Sequence, residues 1–254
     1  MQDKKAILVI GAGDATGGAV ARRFAREGYI ACVSRRSADK LVPLVEQIKA
    51  EGGQAHGFGS DARNEEEMVA LVHKIETEIA PIEVAVFNIG ANVRFGITDT
   101  TAQVYRKVWE MACFGGFLMG RESAKVMLPR GRGTIIFTGA TASLRGREGF
   151  AAFAGAKHAL RALAQSMARE LWPKGIHVAH PVIDGAIDTE FIRNNFPERY
   201  AAKAEGGIVS PEHIADVYWQ LHMQPRDAWT HELEIRPWCL CNRGGFFFNY
   251  FCRW

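Results

Sequence analysis

Three glycines, Gly11, Gly13 and Gly17, stand between the apolar run "AILVI" and a stretch of helical periodicity. Glycine there lets a backbone turn sharply and lie close to a pyrophosphate, while the helix that follows offers N–H groups and a positive dipole end to the phosphates. About twenty residues further on, where such sites hold the adenosine ribose, stand Ser34, Arg35 and Arg36. A carboxylate at that place binds a ribose 2′-hydroxyl, whereas two guanidiniums suit a 2′-phosphate, so the pattern favours NADP over NAD. A second group lies in "FAAFAGAKHAL" (150–160), where Phe153 and Lys157 are spaced to share one helix face. A ring and an ammonium can meet one ligand there, but the ring has no proton to give.

The elements that must position these residues alternate along the chain. Strand-like runs fall at 6–10, 30–34, 82–90, 133–139, 176–183 and 231–235, with a further strand in "QAHGFGSD". Helical patterns fall at 17–28, 38–53, 64–79, 101–127, 149–172 and 210–222. Acids open the 64–79 helix and Ser-Pro opens the one at 210–222, both helix-start signals. Strands separated by helices of this length imply parallel β-α-β units. The expectation is one α/β domain over 1–254, a doubly wound Rossmann-type fold of about seven parallel strands with helices on both faces. The polar segment 190–210 is expected to be an irregular lid over a substrate. The tail 239–254 carries six aromatics in its last nine residues. It is expected to cover a neighbouring subunit, to close the pocket, or simply to pack on available apolar surface.

Composition narrows the classes of function. A net charge of +3 and no Lys/Arg run beyond two argue against nucleic acid and acidic membranes as partners. Five scattered cysteines fit reduced thiols in the cytoplasm better than a disulfide framework, and none has zinc-ligand spacing, so no metal is expected. The opening "MQDKKAILVI" enters a strand directly, without the pattern of a signal peptide. No apolar segment reaches membrane-span length.

Taken together, the motifs over roughly residues 5–237 resemble the short-chain dehydrogenase/reductase family. Gly11, Ala15 and Gly17 are similar to its T-G-x-x-x-G-x-G loop, with Ile10 for the threonine and Ala15 for the middle glycine. Asp61 resembles its adenine-contacting aspartate. "FNIG" (87–90) resembles N-N-A-G and keeps Asn88 and Gly90. "DGAIDT" (184–189) resembles P-G-x-x-x-T, with Asp184 for proline and Thr189 kept. The resemblance implies cofactor contacts from Gly11, Gly13, Thr16, Gly17, Arg35, Arg36, Asp61, Asn88, Gly90, Lys157, Ile187 and Thr189. It also implies a homodimer or homotetramer built through the helices at 101–127 and 149–172.

The family's chemistry uses four side chains, and here only one matches. Its tyrosine falls on Phe153, its serine on Ala140, its asparagine on Ala112 and its lysine on Lys157. Carbonyl reduction needs a proton for the new alkoxide, and phenylalanine supplies none. Thr141 and Ser143 are nearby hydroxyls that could substitute, and a water held by Lys157 is another source. His158 is turned about 100° from Lys157 and reads as a packed or interface residue, and Cys113 as core. Three functions follow as expectations. The first is an NADP-dependent oxidoreductase acting on a small carbonyl or alcohol with an atypical site. The others are a non-catalytic NADP-binding sensor or oligomer partner, and a non-redox lyase.

Overall fold

The apolar runs that end in glycine or polar residues form the strands of a single parallel sheet. The structure, a computed structural model, describes residues 4–241. Its strands are β1 (Ala6–Ile10), β2 (Ile30–Arg35), β3 (Gln54–Gly59), β4 (Ile82–Phe87), β5 (Gly133–Phe137), β6 (Gly139–Ala140), β7 (Ile176–Ile183) and β8 (Glu232–Ile235). β6 continues the path of β5 past Thr138, and both pair with β7, so the order across the sheet is β3-β2-β1-β4-β5/β6-β7-β8. Every pairing is parallel.

Central strands are covered on both sides, which is why β1, β4 and β7 are apolar at nearly every position and buried throughout. Alternate residues feed two cores. Leu8, Phe87, Phe137 and Leu160 belong to one, and Ile7, Phe24, Val86 and Tyr218 to the other. The helices are α1 (Thr16–Arg26), α2 (Val42–Ala50), α3 (Glu65–Glu78), α4 (Ala102–Trp109), α5 (Gly115–Met127), α6 (Ala151–Leu171), α7 (Glu190–Asn195), α8 (Pro197–Ala201) and α9 (Pro211–His222). The Asn64 side chain caps α3 by accepting from Glu67 N–H at 3.2 Å, and Ser210 caps α9 by accepting from Glu212 N–H at 3.2 Å. α5 lies tight against the sheet and α6. A Cβ on Gly116 would meet Leu160 at 2.6 Å, and one on Gly120 would meet Phe137 at 2.8 Å.

Two expectations need correction. The helix anticipated over 101–127 is interrupted by a π-helical turn, Glu110–Phe114, which separates α4 from α5 and contains Ala112. The extra residue in such a turn re-aims side chains, and it leaves no mark in hydrophobic periodicity. The segment 190–210 is not irregular throughout: it forms α7 and α8, then a 3-10 turn over Ala202–Glu205. An isolated bridge between Ile187 and Val209 closes its base. The aromatic tail from residue 242 onward lies outside the described residues.

Candidate functional site

The sheet's order reverses between β1 and β4, because the chain winds outward one way through β2 and β3 and the other way through β5, β7 and β8. Ligands of open α/β sheets bind at the carboxyl ends of strands beside such a reversal. A cleft of about 320 Å³ lies there, lined by Gly11, Gly13, Arg35, Arg36, Asn88 and Gly90 among others.

The glycines have two distinct roles. Gly11 has φ +83, and its Cβ would meet the Asn88 carbonyl at 2.8 Å; a Cβ on Gly17 would meet the Gly11 carbonyl at 2.8 Å. Gly18, not singled out by the motif, would strike the Gly13 carbonyl if it carried a side chain. These glycines let strand, turn and helix pack together. A Cβ on Gly13 or Gly90, in contrast, would meet nothing within 4 Å, and both residues line the cleft. Their missing side chains leave open the space a dinucleotide backbone would fill. Asn88 locks the turn from the other side, its Nδ2 donating to the Gly11 carbonyl at 3.3 Å and its backbone N–H to the Ile10 carbonyl at 2.8 Å.

Arg35 ends β2 and Arg36 follows it, both on the cleft wall, and Lys40 joins them from the 3-10 turn Ala38–Leu41. Sequence spacing does not point to Lys40, because only that turn brings it round. Asp61 also lines the cleft. Arg63 Nε donates to it at 2.9 Å, and this hydrogen bonding holds the carboxyl below its usual range. Asp14, although inside the glycine loop, is exposed and outside the cleft lining.

Four further residues expected at the cofactor lie beyond the lining of this cleft. Thr16 and Gly17 are buried at the start of α1. Thr189 caps α7, its hydroxyl accepting from Ile192 N–H at 3.1 Å. Ile187 packs against the core on the α1 and α9 side of the sheet. None of these four is among the cleft-lining residues.

Lys157 is 3 % exposed and donates to two backbone carbonyls, Thr138 at 2.9 Å and Ile89 at 3.1 Å. It thereby ties α6 to the carboxyl ends of β4 and β5, with Ile89 itself on the cleft wall. Burial pushes its ammonium down to about 8, opposed by the neighbouring Cys113. Burial likewise raises the Cys113 thiol to about 11, which keeps it protonated near neutrality and fits its reading as core.

Phe153, Ala112, Ala152, Ala156, Val108 and Ala91 form a separate small apolar core, with Ala140 packed against it. Phe153, Ala112 and Ala140 are therefore one structural unit. The candidate replacement hydroxyls are both engaged within the fold. Thr141 Oγ1 donates to Asp184, which Arg145 and Arg236 also hold at 3.3 and 3.2 Å. Ser143 is fully buried, its oxygen accepting the Ala140 N–H at 3.1 Å. His158 is exposed, its Nδ1 2.9 Å from the Ala154 carbonyl. Among the described residues there is no group of side chains suited to a metal ion. No described helix is long and apolar enough to cross a membrane.

Comparison with known proteins agrees with this geometry. A family model described as short chain dehydrogenase matches residues 5–199. A short-chain dehydrogenase from Rhodopseudomonas palustris, known as a crystal structure, is 51% identical with a TM-score of 0.80, covering 92% of this chain and 99% of that one. Sorbitol-6-phosphate 2-dehydrogenase of Escherichia coli is 26% identical over 214 residues, 83% of this chain and 81% of its own. A metagenomic short-chain oxidoreductase solved in complex with NADP is 23% identical with a TM-score of 0.78, covering 92% of this chain and 96% of that one. The chain belongs to the short-chain dehydrogenase family.

Proposed function

We propose that the chain binds NADP(H) in the cleft between β1 and β4 and interconverts a small carbonyl compound and its alcohol without a phenolic acid. The observation that carries the cofactor assignment is the cleft itself. Gly13 and Gly90 leave its floor open, while Arg35, Arg36 and Lys40 all line it and carry the charge that a 2′-phosphate would need. The NADP-bound fold neighbour supports the same reading. When bound, the nicotinamide supplies or accepts the hydride. The chain's own part is to bind and to orient. Arg35, Arg36 and Lys40 hold the phosphate end, Gly11 and Gly13 allow close approach of the backbone, and Lys157 fixes the floor beneath the reacting end. The proton for the alkoxide comes from water or from the substrate, because Phe153 and Ala140 offer none and Thr141 donates to Asp184.

A second reading, a cofactor-binding protein without turnover, is favoured by the small apolar core that unites Phe153, Ala112 and Ala140. NADPH fluorescence titration followed by nicotinamide absorbance with a carbonyl panel separates the two. Slow but saturable turnover by the natural sequence supports the first. Tight binding with turnover only in Phe153→Tyr/Ala140→Ser supports the second, and no NADPH binding removes both. The same reading places the protein in the cytoplasm as a homodimer or homotetramer. The half-exposed aromatics Tyr105, Trp109 and Phe117 on α4 and α5 support self-association there, and light scattering would measure it.

A further inference from the structure

One buried hydroxyl on the cleft wall has no partner. β3 ends at Gly59, in register with Arg35 on β2, and Ser60 follows it into the cleft lining. The Ser60 backbone N–H donates to the Arg35 carbonyl at 3.1 Å. A Cβ on Gly59 would meet Ala38 Cβ at 3.3 Å and the Arg36 carbonyl at 3.6 Å. The end of β3 therefore lies against the backbone that carries Arg35 and Arg36 and leads into the turn with Lys40. Ser60 is 7 % exposed, and its Oγ is buried without a hydrogen-bond partner. Among the described residues it is the one such atom that belongs to a cleft-lining residue. The groups beside it are satisfied. The Asp61 N–H donates to Glu67 at 2.8 Å, its carbonyl accepts the Asn64 N–H at 2.9 Å, and its carboxylate holds Arg63. Ser37, also on the cleft wall, is exposed and has water for a partner.

A buried hydroxyl without a partner costs stability, and a ligand that brings an acceptor recovers it. No hydrogen bond fixes the Ser60 rotamer, so its oxygen is free to swing about the Cα–Cβ bond toward a ligand in the cleft. The acceptor suited to this corner is an anion, because Arg35, Arg36 and Lys40 line the same cleft. Arg36 and Lys40 are exposed, so their attraction is screened by salt and reaches any anion. A short side chain at a strand end has no such latitude. It selects an acceptor at one position, and an O–H donating to a charged oxygen is about twice as strong as a neutral hydrogen bond.

We infer that the Ser60 hydroxyl donates to the adenosine 2′-phosphate of NADP(H) and sets part of the preference for it over NAD(H). This deepens the proposed function and rests on its cofactor assignment. Fluorescence titration with NADPH and with NADH tests it on the natural sequence, Ser60→Ala and Ser60→Cys, with urea unfolding of the free protein alongside. Alanine removes the hydroxyl, and cysteine keeps a similar volume but donates weakly. Both variants are expected to bind NADPH about tenfold more weakly, as one hydrogen bond to a charged group is lost, and to bind NADH as before. Adenosine 2′,5′-bisphosphate and adenosine 5′-phosphate, which lack the nicotinamide, should show the same split by calorimetry. The urea midpoint of Ser60→Ala should stay level or rise, because an unpartnered polar group has left the interior. NADPH affinity unchanged in Ser60→Ala would overturn the inference. So would an equal loss for NADPH and NADH, which would put the hydroxyl on a part that both share. A loss in Ser60→Ala that Ser60→Cys does not show would also overturn it, since the role would then be packing. In each of these cases the natural protein still binds NADPH, and the cofactor reading stands. A natural sequence that binds neither nucleotide would remove that reading, and this inference with it.

Discussion

On the proposed reading, Phe153 and Ala140 stand where an acid and an oxyanion donor would act, so adding a hydroxyl at each should raise carbonyl reduction steeply. The perturbation is Phe153→Tyr with Ala140→Ser. Phe153 is 8 % exposed, and the Lys157 ammonium lies 6.0 Å from its ring centroid, so a phenolic oxygen added to that ring has a cation on the same helix face to lower its pKa. General acid catalysis contributes about 10²–10⁴ in rate, and one oxyanion donor about 10²–10³. The two act on the same oxygen and do not multiply fully, so a gain of about 10³ over the natural sequence is the reasoned minimum for the double variant. Each single variant should gain less than the pair. The added phenol is partly satisfied by Lys157, which limits destabilisation to about 1–2 kcal/mol. The assay is NADPH-dependent reduction across a carbonyl panel, with melting temperature and NADPH affinity measured in parallel. A folded double variant that binds NADPH but shows no gain on any substrate reduced by the natural protein would refute the reasoning, since proton delivery at these two positions would then not be what limits the reaction.

Other outcomes follow from the same geometry. Gly13→Val, whose side chain would project into open space, should leave the melting temperature nearly unchanged while abolishing NADPH binding. Gly18→Ala, whose Cβ would overlap the Gly13 carbonyl, should instead destabilise the fold by about 1–3 kcal/mol in urea unfolding. His180 and His222 are both pushed down to about 4 by burial. Because the unfolded chain binds these protons more readily, stability is full above about pH 6.5 and falls as pH drops toward 4. At about pH 5 each histidine should cost on the order of 2 kcal/mol, read as a lowered urea midpoint that His222→Gln partly restores. Gly139→Ala would bring a Cβ within 2.7 Å of the His180 ring and should cost about 1–3 kcal/mol, measured in the same way.

Much of the framework was legible because it depends on local signals. The alternation of apolar runs and helical periods located the parallel sheet, and Gly11 and Gly17 marked the turn because only glycine fits their close backbone approaches. What escaped depends on contacts between distant segments. Lys40 reaches the cleft only through a 3-10 turn. Ala112 sits in a π-helical turn that hydrophobic periodicity cannot register. Thr141 reads in sequence as an available hydroxyl, but its partner Asp184 lies 43 residues away. That Phe153, Ala112 and Ala140 share one small core also could not be read from three separate motifs.

The central claim is that the cleft between β1 and β4 is an NADP(H) site selected by its cations. Its most direct test is a fluorescence titration of the purified protein with NADPH and with NADH, repeated on Arg36→Gln. The account predicts saturable NADPH binding at least about tenfold tighter than NADH, and a loss of that preference in Arg36→Gln, as expected when one charge-assisted hydrogen bond to the phosphate is removed. Equal affinity for the two nucleotides, or no binding of either, would contradict it.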